Sequence, residues 1–527
     1  MKHMPRARAV SPVRLLGTAC VLGLVTFLAL PGNAAESWFG VPPPQDTGLE
    51  PEQLYEQRDF RVVPSEEPAG ASEFADINAG VLYGYVRDQV EISRRSRAEG
   101  DVVWGRVAGR SGDRMVTAYI REKFEEFGLA NVSVDTVEMP TQYWPVDVEL
   151  TLIANQDAGS GTTDYRFKTA MPQPDSPATG RRGLIGDLAY VGYGREVDIA
   201  GKELAGKIAV LRGRPAQGAY NTARGVPDRL ANAGAAAVIV ILDLPIDVQS
   251  YNRALAGTAV PTFAIADYEG VFLENVMARA GDTPIRARMR LRLEADDTPT
   301  TNVVGRVQGT SDEYAIVIAH HDAYFYGAID NGSGVAAMLG LARHFAQLPE
   351  PPRRTHIFVA TGGHHAGGFP GSTKFAEDNI QIRGKTAIVL NAEHVAAVQM
   401  IQYTAMDHDQ WGSSGGLLVS NTEIPRYGSV VPRDPVVLGL LARSLAHHGV
   451  TMLANAWDQA PGDVWPFQRR GYRVAQIIEV SNWYHTTGDI LAAVPPTGLE
   501  RATRAFAEFL HEIDGRPIHE VGRSAGD

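Results

Sequence analysis

What this sequence lacks bounds it before any motif does. It has one cysteine, Cys20, which lies inside the apolar run "LLGTACVLGLVTFLAL" (15–30). No disulfide framework can therefore form within the chain, and a hydrophobic core must hold it; 527 residues are enough to build one. No run after residue 30 is long and apolar enough to read as a membrane span. Basic charge is also short: the formal net charge is −12, which disfavours nucleic acid and anionic membranes as partners. Histidine is missing between His3 and His320, and seven of the fourteen histidines then fall between 320 and 394.

The first 34 residues read as a secretory signal peptide. Lys2, Arg6, Arg8 and Arg14 form a basic start, the run 15–30 is the apolar region, and "PGNAA" supplies small residues for cleavage. Export to the periplasm or medium is expected, with no membrane association after cleavage. Loss of the four basic residues takes the net charge from −12 to −16.

Residues 35–75, rich in Pro, Glu and Gly, read as an extended, poorly packed lead-in. Helical spacing follows in "NAGVLYGYVRDQVEISRR" (78–95) and "SGDRMVTAYIREKFEEFGL" (111–129), then strand alternation in "NVSVDTVEMP" (131–140). From 300 onward, continuous apolar strands alternate with helices: "YAIVIA" (314–319), "SGVAAMLGLARHFAQL" (333–348), "THIFVA" (355–360), "TAIVLN" (386–391), "VVLGLLARSLAHHG" (436–449), "YRVAQIIEV" (472–480) and "GLERATRAFAEFLHEI" (498–513). This order predicts an α/β fold with a mostly parallel central sheet sandwiched by helices. Segments 76–175 and 285–520 are expected to form that domain, with 180–280 inserted as a separate β-rich unit. "GKIAVLRGRP" (206–215), "VPDRLANAGAAAVIVILD" (226–243) and "AVPTFAIAD" (259–267) supply its elements. They resemble the protease-associated domain of secreted and vacuolar peptidases, which has no chemistry of its own and shapes a substrate cleft.

Open α/β sheets build their sites at the carboxyl ends of the strands. Four strands here end in residue types that can hold a metal: His320 and Asp322, with Asp330 before the next helix; His364 and His365; Glu393 and His394; and His485. Zinc takes imidazole and carboxylate ligands, and a catalytic site keeps one position for water.

At these residues the chain resembles the co-catalytic zinc aminopeptidase family, in particular the branch with glutamate carboxypeptidase and the transferrin receptor. The motifs that carry the resemblance are "HHDAYFYGAIDNGSG" (320–334), "GSTKFAEDN" (371–379), "NAE" (391–393), "GDVWPFQRRGYRVA" (462–475) and "YHTTGD" (484–489). The resemblance implies two zinc ions bridged by Asp330. His320 and Glu393 would complete one ion's ligands, and His485 would serve the other. Asp322 would hold a ligand histidine in its tautomer, and Tyr484 would stand where the family places a phenol against the oxyanion. Tyr324 and Trp465 are the expected substrate contacts.

The match departs at "TGGHHAGGFPGS" (361–372), where the family has two adjacent glutamates, a general base and a ligand. This chain has His364 and His365, with no acidic residue between Thr355 and Lys374. Three readings stay open. His365 ligates the second ion and His364 accepts the proton; or only the His320–Asp330–Glu393 ion binds tightly, giving a mononuclear hydrolase or another substrate class; or the base is lost and the protein is a non-catalytic binding relative. Retention of the other ligands speaks against full decay of the site. The expectation is a metal-dependent exopeptidase, an aminopeptidase by the family's habit, in which metal-activated water attacks a terminal peptide or amide bond. Two further histidine motifs read as structural: "HH" at 447–448 closes a helix where positive charge is favoured, and "DHD" at 407–409, metal-like in composition, sits in an unpatterned loop and reads as a solvated turn.

Overall fold

The computed structural model describes residues 38–45, 68–159, 162–215, 222–244, 247–402, 417–423, 426–431, 434–455, 459–479 and 481–521. The predicted leader 1–34 with Cys20, and the loop at 407–409, lie outside the described residues.

Two eight-stranded sheets carry the chain. At the centre of the first, Thr355–Thr361, Tyr314–His320, Thr386–Ala392 and Val474–Ile478 run parallel, side by side in that order. Thr300–Val307 on one side and Arg426–Val431 on the other flank them antiparallel, and Ala130–Val137 pairs antiparallel with the outer side of Thr300–Val307. The central strands are apolar along their length because both faces are covered. In Tyr314–His320, Ala315, Val317 and Ala319 join the core under helices Ala79–Arg97, Gly334–Ala346 and Pro496–Asp514. Ile316 and Ile318 join the core under helices Pro370–Asp378 and Val464–Arg469. Each such fully buried isoleucine or valine stabilises the fold by about 1.5–3 kcal/mol relative to exposure. The parallel-rich, helix-covered α/β architecture read from the sequence is the one observed.

In the second sheet, Leu184–Tyr190, Ile208–Gly213, Ala237–Leu242 and Thr262–Ile265 run parallel and adjoin the long antiparallel pair Arg286–Asp296 and Gln142–Ile153. The sheet takes in strands well outside the 180–280 expected for the inserted unit. The cause is a period-2 pattern in "RARMRLRLEAD": Ala287, Met289 and Leu291 enter the core of this sheet, while the arginines between them are less buried. Its partner strand Gln142–Ile153 contributes Leu150 and Leu152 to the same core. The lead-in read over 35–75 is packed at its described start, 38–45. Trp38 is only 1% exposed and packs in that core, and the Phe39 N–H donates to the Ala158 carbonyl at 2.8 Å. An indole has too much apolar surface to leave in water once a sheet face is within reach.

A hydrogen-bonded seam joins the parts that carry the two sheets. Ser250 bridges antiparallel to Thr486. Beside it the Tyr251 N–H donates to the His485 carbonyl, and the Thr487 N–H to the Gln249 carbonyl, each at 3.0 Å. None of the described helices is long and apolar enough to cross a membrane.

Candidate metal centre

All four parallel strands deliver side chains to one rim, at the point where the chain moves from one side of Tyr314–His320 to the other. His320 is the last residue of its strand. His364 and His365 follow two glycines after Thr361, and His394 follows Ala392 by two residues. Asp330 lies in the loop just before helix Gly334–Ala346.

Asp330 is the hub. The Nε2 atoms of His320 and His394 lie 3.4 and 3.1 Å from its Oδ1, and those of His365 and His485 lie 3.4 and 3.1 Å from its Oδ2. None of these four buried imidazole nitrogens forms a hydrogen bond. Three of the rings have their other nitrogen committed to an acceptor. His320 Nδ1 lies 3.1 Å from the Asp322 carbonyl, His365 Nδ1 2.9 Å from Asp322 Oδ2, and His394 Nδ1 3.0 Å from the Glu479 carbonyl. Each Nδ1 therefore carries the proton, and in the neutral ring Nε2 turns a lone pair toward a carboxylate that is itself only lone pairs. Such a face is stable only with a positive charge between. Two cations, one on each Asp330 oxygen, fit this donor set.

Protons offer partial compensation. Burial disfavours charge on all four rings, yet Asp330 raises His394 to about 9, and Asp330 with Asp322 raises His365 to about 10. Burial wins at the other two, holding His320 well below its usual value and His485 down to about 3. Burial works to raise the Asp330 pKa, but His394 and His365 hold the carboxyl well below the usual range. Cation entry would thus release protons from His365 and His394.

Around the hub, a few polar groups fix the loops. Asp322 Oδ1 accepts from the His364 N–H, and its Oδ2 from the His365 N–H, both at 3.0 Å. Asp489 accepts from the N–H groups of Ile329 and Asp330 at 2.6 and 3.0 Å, and burial pushes its pKa up to about 7. Asn331 ties three loops: it donates to the carbonyls of His320 and Ala392 and accepts from the His394 N–H. Arg106, wholly buried, donates to the carbonyls of His321, Tyr326 and Gly327.

His364 does not point at Asp330. Its ring stacks on His320 with centroids 3.9 Å apart, and its Nδ1 lies 2.5 Å from Asp463 Oδ2. Burial opposes its charge, but the Asp463 carboxylate raises the imidazole to about 9. Glu393 joins this second group: ligand atoms of His320, His364, Glu393 and Asp463 all lie within 4.8 Å of one another. Glu393 Oε2 accepts from Asn391 Nδ2 at 2.7 Å, and burial raises its carboxyl pKa.

The structure brings His320, Asp330, His365 and His485 together. It brings Glu393 to His320 but on the His364 side, and it is the next residue, His394, that reaches Asp330. The cause is local: His394 adopts φ 47°, and its Nδ1–H is captured by the Glu479 carbonyl, which aims the ring inward. Asp322 serves His365 more directly than His320, whose Nδ1 stands 3.9 Å from Asp322 Oδ1. Tyr484 stacks on His485 with centroids 3.6 Å apart. Tyr324 sits edge-on to His485 and tilted over His365, and it lines a cavity of about 400 Å³ with Gln142, Trp144, Tyr251, Arg253 and Ala366. Trp465 lies half-buried on helix Val464–Arg469, outside that cavity lining.

Four positioning residues escaped the sequence reading: Asn331, Asp489, Arg106 and Asp463 in its contact with His364. Asn331 and Asp489 fall inside "GAIDNGSG" and "YHTTGD", where a polar residue next to a ligand is the available signal. Gly462 is a further case. It has φ +74°, and a Cβ there would come within 2.7 Å of Glu393 Oε1. Gly462→Ala should therefore lower stability by about 1–3 kcal/mol, read as a fall in the urea midpoint at unchanged slope.

Residues 302–510 match the profile of peptidase family M28. The chain is 34% identical over 115 residues to "Probable glutamate carboxypeptidase AMP1" of Arabidopsis thaliana, covering 21% of this chain and 16% of that protein. It is 28% identical over 245 residues to "Aminopeptidase NAALADL1" of Mus musculus, covering 39% and 32%. This chain thus spans less than a third of the length of either relative. Among solved structures, the fold is similar to that of "BSAP, a zinc aminopeptidase from Bacillus subtilis", with a TM-score of 0.59, 20% identity, and coverage of 83% of this chain and 95% of that one.

Proposed function

We propose, from the match of residues 302–510 to the profile of peptidase family M28, that the chain is a two-zinc exopeptidase, an aminopeptidase, that cleaves terminal peptide or amide bonds. The observation that supports it most is Asp330 facing four imidazole nitrogens, two on each oxygen. That symmetry favours two cations over the mononuclear reading. His320 and His394 would hold one zinc with Asp330 Oδ1, and His365 and His485 the other with Oδ2. A zinc pair so held supplies a polarised carbonyl and a water of lowered pKa, to about 7.

The chain's own residues do the rest. Asp463 keeps the proton on His364 Nδ1, which leaves Nε2 to take up a proton from the attacking water and return it to the leaving amine. A neighbouring dication would bring the His364 pKa down from about 9 toward the range a general base needs. Tyr484, held by its stack on His485, would donate its hydroxyl proton toward the developing oxyanion; burial keeps that phenol protonated. Tyr324 forms the wall between the centre and the 400 Å³ cavity, where the substrate side chain would sit. The second sheet fits the reading of a protease-associated unit that edges the cleft, and the leader read from 1–34 fits export.

His364→Ala should lower kcat by about 100-fold or more with zinc content unchanged, while His365→Ala should remove about one zinc. Amino-acyl arylamides and C-terminal dipeptides, assayed with and without chelator, would tell aminopeptidase from carboxypeptidase. Unchanged turnover in His364→Ala, or chelator-resistant cleavage, would overturn the reading. A folded chain that holds no zinc and cleaves neither substrate class would favour the binding-protein alternative.

A further inference from the structure

A second cluster of metal-ligating side chains lies away from the rim, on the helical face, and shares no residue with it. Helix Pro435–His447 ends at His447, with His448 as its cap. Across from them, on helix Pro496–Asp514, stands Glu508. Its Oε2 lies 2.8 Å from His447 Nδ1 and 2.9 Å from His448 Nε2. Glu73, from the segment at 68–77, places Oε1 3.7 Å from His447 Nε2. Ligand atoms of all four residues fall within 4.8 Å of one another.

Two features separate this cluster from ordinary surface ion pairs. His448 is 1% exposed, and its Nε2 forms no hydrogen bond although it lies 2.9 Å from Glu508 Oε2. One carboxylate oxygen thus faces two imidazole nitrogens, the arrangement Asp330 Oδ1 shows with His320 and His394. The packing also fixes the ring. A Cβ on Gly70 would meet His448 Nδ1 at 2.7 Å, and the Gly70 N–H donates to the His447 carbonyl at 2.9 Å.

We propose that His447, His448, Glu508 and Glu73 form a structural site for one divalent transition cation, zinc first, which fastens the segment at 68–77 onto the two helices. Two imidazoles select against calcium and magnesium, which prefer all-oxygen sites, and two carboxylates balance the ion's charge. The site is independent of the proposed hydrolysis.

The test counts zinc bound to the full chain in equilibrium dialysis against zinc ion alone. In a chain with the rim dismantled by His320→Ala, Asp330→Asn and His485→Ala, one zinc should remain, and adding His447→Ala should remove it. In the otherwise intact chain, His447→Ala with Glu508→Gln should lose one zinc while hydrolysis of an amino-acyl arylamide persists. The second comparison decides if the rim-dismantled chain does not fold. No zinc on a folded rim-dismantled chain, retention after His447→Ala, or equal zinc content in the intact pair would each overturn the proposal.

Discussion

Asp330→Asn should reduce kcat/KM by at least roughly 1000-fold and strip both cations from the rim. The four imidazole nitrogens that approach its oxygens at 3.1–3.4 Å would then face an amide with half the acceptor capacity and no charge. One amide oxygen cannot serve two cations, and the amide nitrogen would present protons to whichever pair of rings it faced. The readouts are zinc per chain and steady-state hydrolysis. The rings that Asp330 raises, His365 and His394, should also titrate at lower pH in the variant, because the field that favours their charge is gone. Normal zinc content with normal turnover would remove Asp330 from the centre of the account.

Arg106→Met should cost about 3–5 kcal/mol of stability. The guanidinium is fully buried and donates to Ser93 Oγ as well as to the carbonyls of Gln89, His321, Tyr326 and Gly327. Methionine fills most of the volume but supplies no donor, so the carbonyls at both ends of the 321–327 loop lose the guanidinium, and Gly327 keeps only the Gly332 N–H. Burial already lowers the Arg106 pKa to about 10, against the pull of Asp489, Asp330 and Asp322, which shows how much solvation the group has given up. The measurement is the urea midpoint, with zinc content as a second readout, since this loop leads into Asp330. A loss below about 1 kcal/mol would mean that the loop is held by other contacts.

The sequence was most legible where a period was unbroken. "YAIVIA" and "TAIVLN" are apolar on both faces, and each became a central strand with its polar residue at the carboxyl end. That single rule brought His320, His365 and His485 toward one place. It could not distinguish Glu393 from His394, because the choice depends on one left-handed backbone angle beyond the strand and on a carbonyl contributed by Glu479. Arg106 was invisible for a related reason: its partners are backbone carbonyls, which no side-chain motif reveals. The second sheet's edges were missed where charge masked alternation, as in "RARMRLRLEAD", whose arginines hide the inward Ala287, Met289 and Leu291.

The seam at Ser250 and Thr486 ties the two sheets to the same few atoms. Because the Tyr251 N–H holds the carbonyl of His485, the second lobe cannot swing outward without tugging on a residue that faces Asp330. Cutting that lobe away would accordingly show up as weaker binding of a cation by His365, His485 and Asp330 Oδ2, before any change in which substrate is preferred.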